Sequence, residues 1–184
     1  MIGRHECGEA TTSDLKEALA IGLDEALTAL EESIRDLTDE QFRSFPIPAR
    51  NNIAWIVMHC LQNLDTYANS FQTKESSFTH DRRWDLWDCR PDERPRPEDA
   101  FPSQQEALDL LRRTGATARL GLNSASRDDL LGRRHAHEWW GRKTSADAYL
   151  RTISHTQAHV RQIWLLRGAL GLTDGKNWPQ QHWA

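Results

Sequence analysis

Apolar residues recur every three or four positions in four stretches of the chain, and no long stretch alternates polar with apolar. The first covers about residues 13–37, with Leu15, Leu19, Leu23, Ala26, Leu27, Leu30, Ile34 and Leu37 on one face. Ser13 fits as its N-cap, and Asp14 and Glu17 fall in a first turn whose free N–H groups favour negative charge. The second, about 51–73, follows the breaks at Pro46 and Pro48. Its face is Ile53, Ile56, Val57, Cys60, Leu61, Leu64 and Ala68, with Asn51 or Asn52 as the cap. The third, about 103–124, opens on the capping-box sequence Ser103-Gln-Gln-Glu106 and carries Leu108, Leu111, Ala118 and Leu122, with Gly115 weakening its middle. The fourth, about 145–170, opens on Thr144-Ser145-Ala-Asp147 and closes at Gly171. Four helices of similar length without an internal repeat predict an all-α four-helix bundle.

The connections are unequal. Residues 74–102 form a long crossover between the second and third helices, containing Trp84, Trp87, Pro91, Pro95 and Pro97. Connections of that length are usually packed as lids or functional, and paired tryptophans favour packing. The expectation is one domain over the 184 residues, with an N-terminal extension over about 1–12 and a Trp-containing tail over about 172–184.

Charge and cysteine content narrow the function class. Lys plus Arg is 23 and Asp plus Glu is 27, for a net charge of -4, which provides no footprint for a phosphate backbone. Nucleic acid is therefore not an expected partner. Cys7, Cys60 and Cys89 are widely spaced and odd in number, as suits a reducing cytosol. The first residues lack the apolar core of a signal peptide, and the longest uncharged run, residues 51–64, is too short to span a bilayer. A cytoplasmic protein without a membrane partner is expected.

Candidate chemistry lies in three histidines. His155 and His159 are one helical turn apart, and His59 interrupts the apolar run of the second helix. Eight histidines give roughly 0.3 H-x-x-x-H pairs by chance, so the spacing alone is weak. The stronger signal is that Thr152 and Gln162 extend the same stripe, where a plain bundle core would carry Leu or Val. One such histidine is more often a hydrogen-bonded core residue than a ligand. Three neutral imidazoles meeting inside a bundle would instead leave open positions on a shared divalent ion. Trp55 and Asn52, one and two turns before His59, are the candidate walls of a small-molecule pocket, with Gln162 at its other side.

The stretch NNIAWIVMHCLQNLD around His59, together with His155-Thr-Gln-Ala-His159-Val-Arg-Gln162-Ile163 and a closing Leu-Arg-Gly, resembles the DinB/YfiT-like metalloenzyme superfamily. The resemblance extends from the first helix to Gly171. It implies a bundle in up-down-down-up order, whose long crossover would join helices two and three. It also implies one divalent ion held by His59, His155 and His159, zinc or nickel foremost, with iron as a further choice. Gln162 matches a motif position, whereas Arg161 stands where relatives commonly have a small residue.

The activity the resemblance implies is metal-dependent transfer of a low-molecular-weight thiol, such as bacillithiol or mycothiol, to an electrophilic small molecule. The alternatives are a hydrolase using metal-bound hydroxide and a non-catalytic metal-binding or interaction bundle, dimeric through an exposed helix face. The last helix is not a zincin motif, because Thr156 stands where H-E-x-x-H has its base. A hydrolase would need its base from elsewhere; Glu138 and Asp65 are the candidates, although a solvated carboxylate is the commoner role for each. His135 and His137, alternate residues before the last helix, form a competing pair in what reads as an exposed loop. Cys60 is rotated about 100° from His59 and is expected to be a buried apolar residue.

Overall fold

Helix boundaries follow from the capping chemistry more closely than from the apolar stripes. The computed structural model describes residues 11–48, 50–69, 101–132, 134–137 and 141–172. α1 spans Thr12–Ile34, α2 Asp39–Arg43, α3 Ile53–Asn63, α4 Gln104–Ser124 and α5 Ser145–Ala169. The chain is thus mostly helical, as expected. The Trp-rich crossover, residues 1–10 and the C-terminal tail lie outside the described residues.

α1 is capped by Thr11 rather than Ser13. The Thr11 hydroxyl accepts from the Asp14 N–H at 3.2 Å, and the Asp14 carboxylate accepts from the Thr11 N–H at 2.6 Å. The residue three past Ser13 is Lys16, which offers no acceptor to complete such a pair. α1 stops at Ile34, and Thr38 with Gln41 forms a second capping box that opens α2. At five residues α2 is too short for apolar periodicity to reveal, although its Thr-x-x-Gln signature was legible. Asn52 caps α3 by accepting from the Trp55 N–H at 2.8 Å, and its Nδ2 donates to the Arg43 carbonyl at 2.9 Å.

α3 is regular only to Asn63. It then widens into a π-helical segment, Leu64–Asn69, in place of the uninterrupted helix the sequence predicts. A second wide turn covers Asp128–Gly132. The expected loop before α5 contains a two-stranded antiparallel ribbon instead. β1 (Arg134–His137) pairs with β2 (Gly141–Thr144), with His135 opposite Lys143 and His137 opposite Gly141. The ladder explains why alternation over four residues went unread, and the side chains of His135 and His137 fall outside the described set.

α1 packs against α4 and α5, and α3 with its π-helical continuation packs against the same two helices. Gly115 does not break α4. A Cβ there would lie 2.8 Å from Leu27 Cδ1, so the missing side chain is what lets α1 and α4 approach. Tyr149 fills the interior and donates its hydroxyl to the Ala118 carbonyl at 2.9 Å, joining α5 to α4. The far end of α5 is tied to α1 by Arg167, only 3 % exposed. It donates to both Asp36 oxygens at 2.7 and 2.8 Å and to the Ser33 carbonyl at 3.1 Å, and it lies over the Trp164 ring. That pairing holds the Asp36 carboxyl below the usual carboxylate range. α5 ends as predicted at Gly171, whose φ of +72° allows the Leu172 N–H to reach back to the Arg167 carbonyl. Among the described residues, no helix is long and apolar enough to cross a membrane.

Candidate metal centre

The third ligand candidate comes from a helix that is buried on nearly every side. In α3 the run from Ile53 to Cys60 is interior except at His59, which is partly accessible. Trp55, one turn earlier, stacks on the His59 ring with centroids 5.0 Å apart and planes 19° apart. On α5, His155 and His159 share a face with the buried Thr152 and Thr156.

The three imidazoles meet edge to edge. His59 Nε2 lies 3.0 Å from His155 Nε2, and His159 Nε2 lies 3.2 Å from the same atom. One ligand atom from each residue falls within 4.8 Å of the other two. Nitrogens about 2.0–2.1 Å from a common ion stand roughly 2.8–3.4 Å apart at bond angles of about 90–109°. The observed spacings fall inside that range.

Protonation state supports the same fit. Burial, then the charges of His159 and Arg151, holds His59 down to about 4. Burial, then His159, His59 and Arg151, holds His155 down to about 3. His159 is also lowered by burial, opposed in part by its hydrogen bond with Gln162. All three are therefore neutral at pH 7 and carry a ring lone pair for a Lewis acid.

Gln162 supplies the orientation that sequence alone left unassigned. Its Oε1 lies 3.0 Å from His159 Nδ1, which must donate to it, so the His159 lone pair sits on Nε2 and points at the other rings. Lone pairs converging at such distances repel unless a proton or a cation lies between them. His59 Nδ1 and His155 Nδ1 are buried without a protein partner, as the outward N–H groups of ligating imidazoles would be before solvent or substrate completes them. A Gln162→Ala variant is expected to bind zinc about 10–100-fold more weakly with its fold intact, measured by competition with a chromogenic chelator. Unchanged affinity would make the contact incidental.

The remaining sequence candidates separate clearly. Trp55 belongs to the site as the cover over His59. Asn52 is wholly buried and its side-chain amide is spent on the α3 cap and the Arg43 carbonyl. Gln162 touches a ligand candidate at the exposed rim. Asp65 is buried at the start of the π-helical segment, and Glu138 lies outside the described residues. Cys60 is buried and its thiol is pushed far up by burial, so it provides no thiolate. Arg161 lies on the exposed side of α5. Three further residues on the same helices, Asn63, Tyr67 and Arg151, are not singled out by the sequence. Asn63 is four residues past His59 and Arg151 four residues before His155, a spacing that placed both on the ligand faces.

Comparison with known proteins agrees with this geometry. A family model described as DinB superfamily matches residues 22–163. Among solved structures, a conserved protein from Enterococcus faecalis superposes with a TM-score of 0.67 at 18% identity, over 84% of this chain and 96% of that one. That likeness concerns the fold. No curated protein matches the sequence.

Proposed function

Since the chain belongs to the DinB superfamily, we propose that it is a divalent-metal-dependent enzyme that transfers a low-molecular-weight thiol to an electrophilic small molecule. The observation that carries the metal half is the convergence of three neutral Nε2 atoms. The thiol half rests on the kinship, and the up-down-down-up helix order, with zinc or nickel as the ion, belongs to the same reading. When bound, a divalent ion supplies Lewis acidity and lowers the pKa of a thiol.

The chain's own residues account for the rest. His59, His155 and His159 hold their lone pairs inward, kept unprotonated by burial. Gln162 fixes the His159 ring, and Trp55 covers one face of His59 against water. Three protein ligands leave coordination positions for substrate. In the overall reaction sulfur bonds to the electrophilic carbon; with a halide the thiol proton goes to solvent and the halide departs with its electron pair, and with an epoxide the ring C–O bond opens and its oxygen takes up a proton.

The test is turnover of electrophilic halides and epoxides by zinc- or nickel-loaded protein, with and without a thiol. Thiol-dependent product that falls at least about a hundredfold in His159→Ala supports the reading. Product formed equally without thiol would replace it with metal-assisted hydrolysis, and no product across the panel would leave a metal-binding bundle.

A further inference from the structure

A polar seam continues from the three histidines toward the π-helical end of α3. Along α3 and its continuation, Trp55, His59, Asn63 and Tyr67 follow one another at intervals of four. α5 packs on both α3 and the π-helical segment, and it carries Arg151 and Thr152 one turn before His155. Two oxygens in this seam are buried with no hydrogen-bond partner: Asn63 Oδ1, in a residue 8 % exposed, and Thr152 Oγ1, in a residue 1 % exposed.

The Thr152 hydroxyl differs from four other hydroxyls in the helices. Ser33, Thr114, Thr117 and Ser154 all return theirs to a carbonyl of their own helix. Thr152 does not, so its hydroxyl is held for a group from outside its helix. A buried oxygen without a partner carries a desolvation cost that a bound polar group would recover. π-helical turns of the kind that begins after Asn63 recur at functional sites.

Charge is arranged along the same line. Arg151 is exposed and lies one turn before His155 on α5. Tyr67 is half-buried, four residues past Asn63, on the π-helical segment against which α5 packs, and Arg151 opposes the rise that burial gives its hydroxyl. The seam thus has a cation and a phenol at its mouth and two unpartnered oxygens inside.

We propose that Arg151, Tyr67, Thr152 and Asn63 form a subsite for a substrate carboxylate that carries a hydrogen-bond donor on the neighbouring carbon, as in an amido, amino or hydroxy acid. Arg151 and the Tyr67 hydroxyl donate to the carboxylate at the mouth. The adjacent N–H or O–H satisfies Asn63 Oδ1, an acceptor that no carboxylate oxygen can serve, and the Thr152 hydroxyl bridges the two. The subsite extends the substrate-site reading above but does not depend on the thiol.

N-Acetylglycine and its neutral counterpart N-acetylglycinamide separate these points in NMR titrations of zinc-loaded protein. The acid is expected to bind at least tenfold tighter than the amide. That preference should fall below threefold in Arg151→Gln, and both should weaken in Thr152→Val while Thr152→Ser recovers. Equal binding of acid and amide, no binding of either, or a preference unchanged in Arg151→Gln would overturn the subsite. The last result would place the carboxylate on the ion instead. N-Acetylcysteine completes the set: failure to bind tighter than N-acetylglycine counts against the thiol reading and leaves the subsite standing.

Discussion

Protein stripped with a chelator and returned to one equivalent of zinc or nickel is expected to retain about one ion per chain, and His155→Ala/His159→Ala to retain none. The two residues are one turn apart on α5 and meet His59 across the helix packing at 3.0–3.2 Å between nitrogens. Removing both leaves a single imidazole, which cannot chelate. The loss in affinity is expected to be on the order of 10³-fold or greater, since outer-shell partners alone are worth about 10–100-fold. Because the ligands come from two helices, an ion that binds only the folded chain also stabilises the packing of α3 on α5. The double variant should lose the metal-dependent rise in melting temperature that the parent shows. Mass spectrometry of metal content and thermal melts check both statements. A folded parent that takes up neither metal would return the three histidines to core hydrogen bonding.

The metal-free protein is expected to lose stability as pH falls from about 6.5 toward 4. An unfolded histidine titrates near 6.5, whereas His59 is held down to about 4 and His155 to about 3, mainly by burial. Below pH 6.5 the unfolded chain binds protons that the folded chain refuses, so protonation draws the equilibrium toward unfolding. The stabilising contribution of the neutral rings is complete above about 6.5 and exhausted once the folded value has been passed. For His59 alone the span corresponds to about 3 kcal/mol, an upper figure because the three rings titrate together. Urea midpoints of chelated protein at pH 7.5, 5.5 and 4.5 give the measurement. His59→Phe should flatten the dependence between pH 6.5 and 5, above the range where carboxylates dominate. An equal slope in parent and variant would mean that His59 is already open to protons in the fold.

Most of the helical plan was legible because it rests on two strong local signals. Apolar stripes three and four residues apart located α1, α3, α4 and α5, and the boxes at Ser103 and Thr144 marked where two of them begin. The same chemistry was misapplied at the start of α1, where the residue type of the cap was weighed without its partner three positions on. α2 and the ribbon before α5 escaped because five- and four-residue elements hold too few positions to display a period. The widening of α3 after Asn63 left no mark in the hydrophobic pattern, since Leu64 and Ala68 are buried in either geometry.

At the site, the sequence disclosed which rings converge because isolated polar residues on apolar faces are conspicuous. It did not disclose that Gln162 meets His159 Nδ1. A glutamine on a helix is ordinarily a solvated residue, and its spacing of three from His159 becomes informative only once the side-chain contact is seen. Asn52 shows the converse error. Its place two turns before His59 suggested a pocket wall, but the first residue before a helix is in greater demand as a cap.

The wide turn after Asn63 makes one end of the site adjustable independently of the other. A π-helical segment is equivalent to an α-helix that has accepted one extra residue. Deleting a single position within residues 64–69 would let the regular ladder resume while leaving everything beyond it facing nearly as it does now. His59, upstream, would keep its place beside His155, while Tyr67, inside the segment, would be re-aimed relative to Asn63. Single-residue insertions and deletions at this point therefore alter the side chains inside the segment while leaving the three imidazoles and the helix beyond it in place.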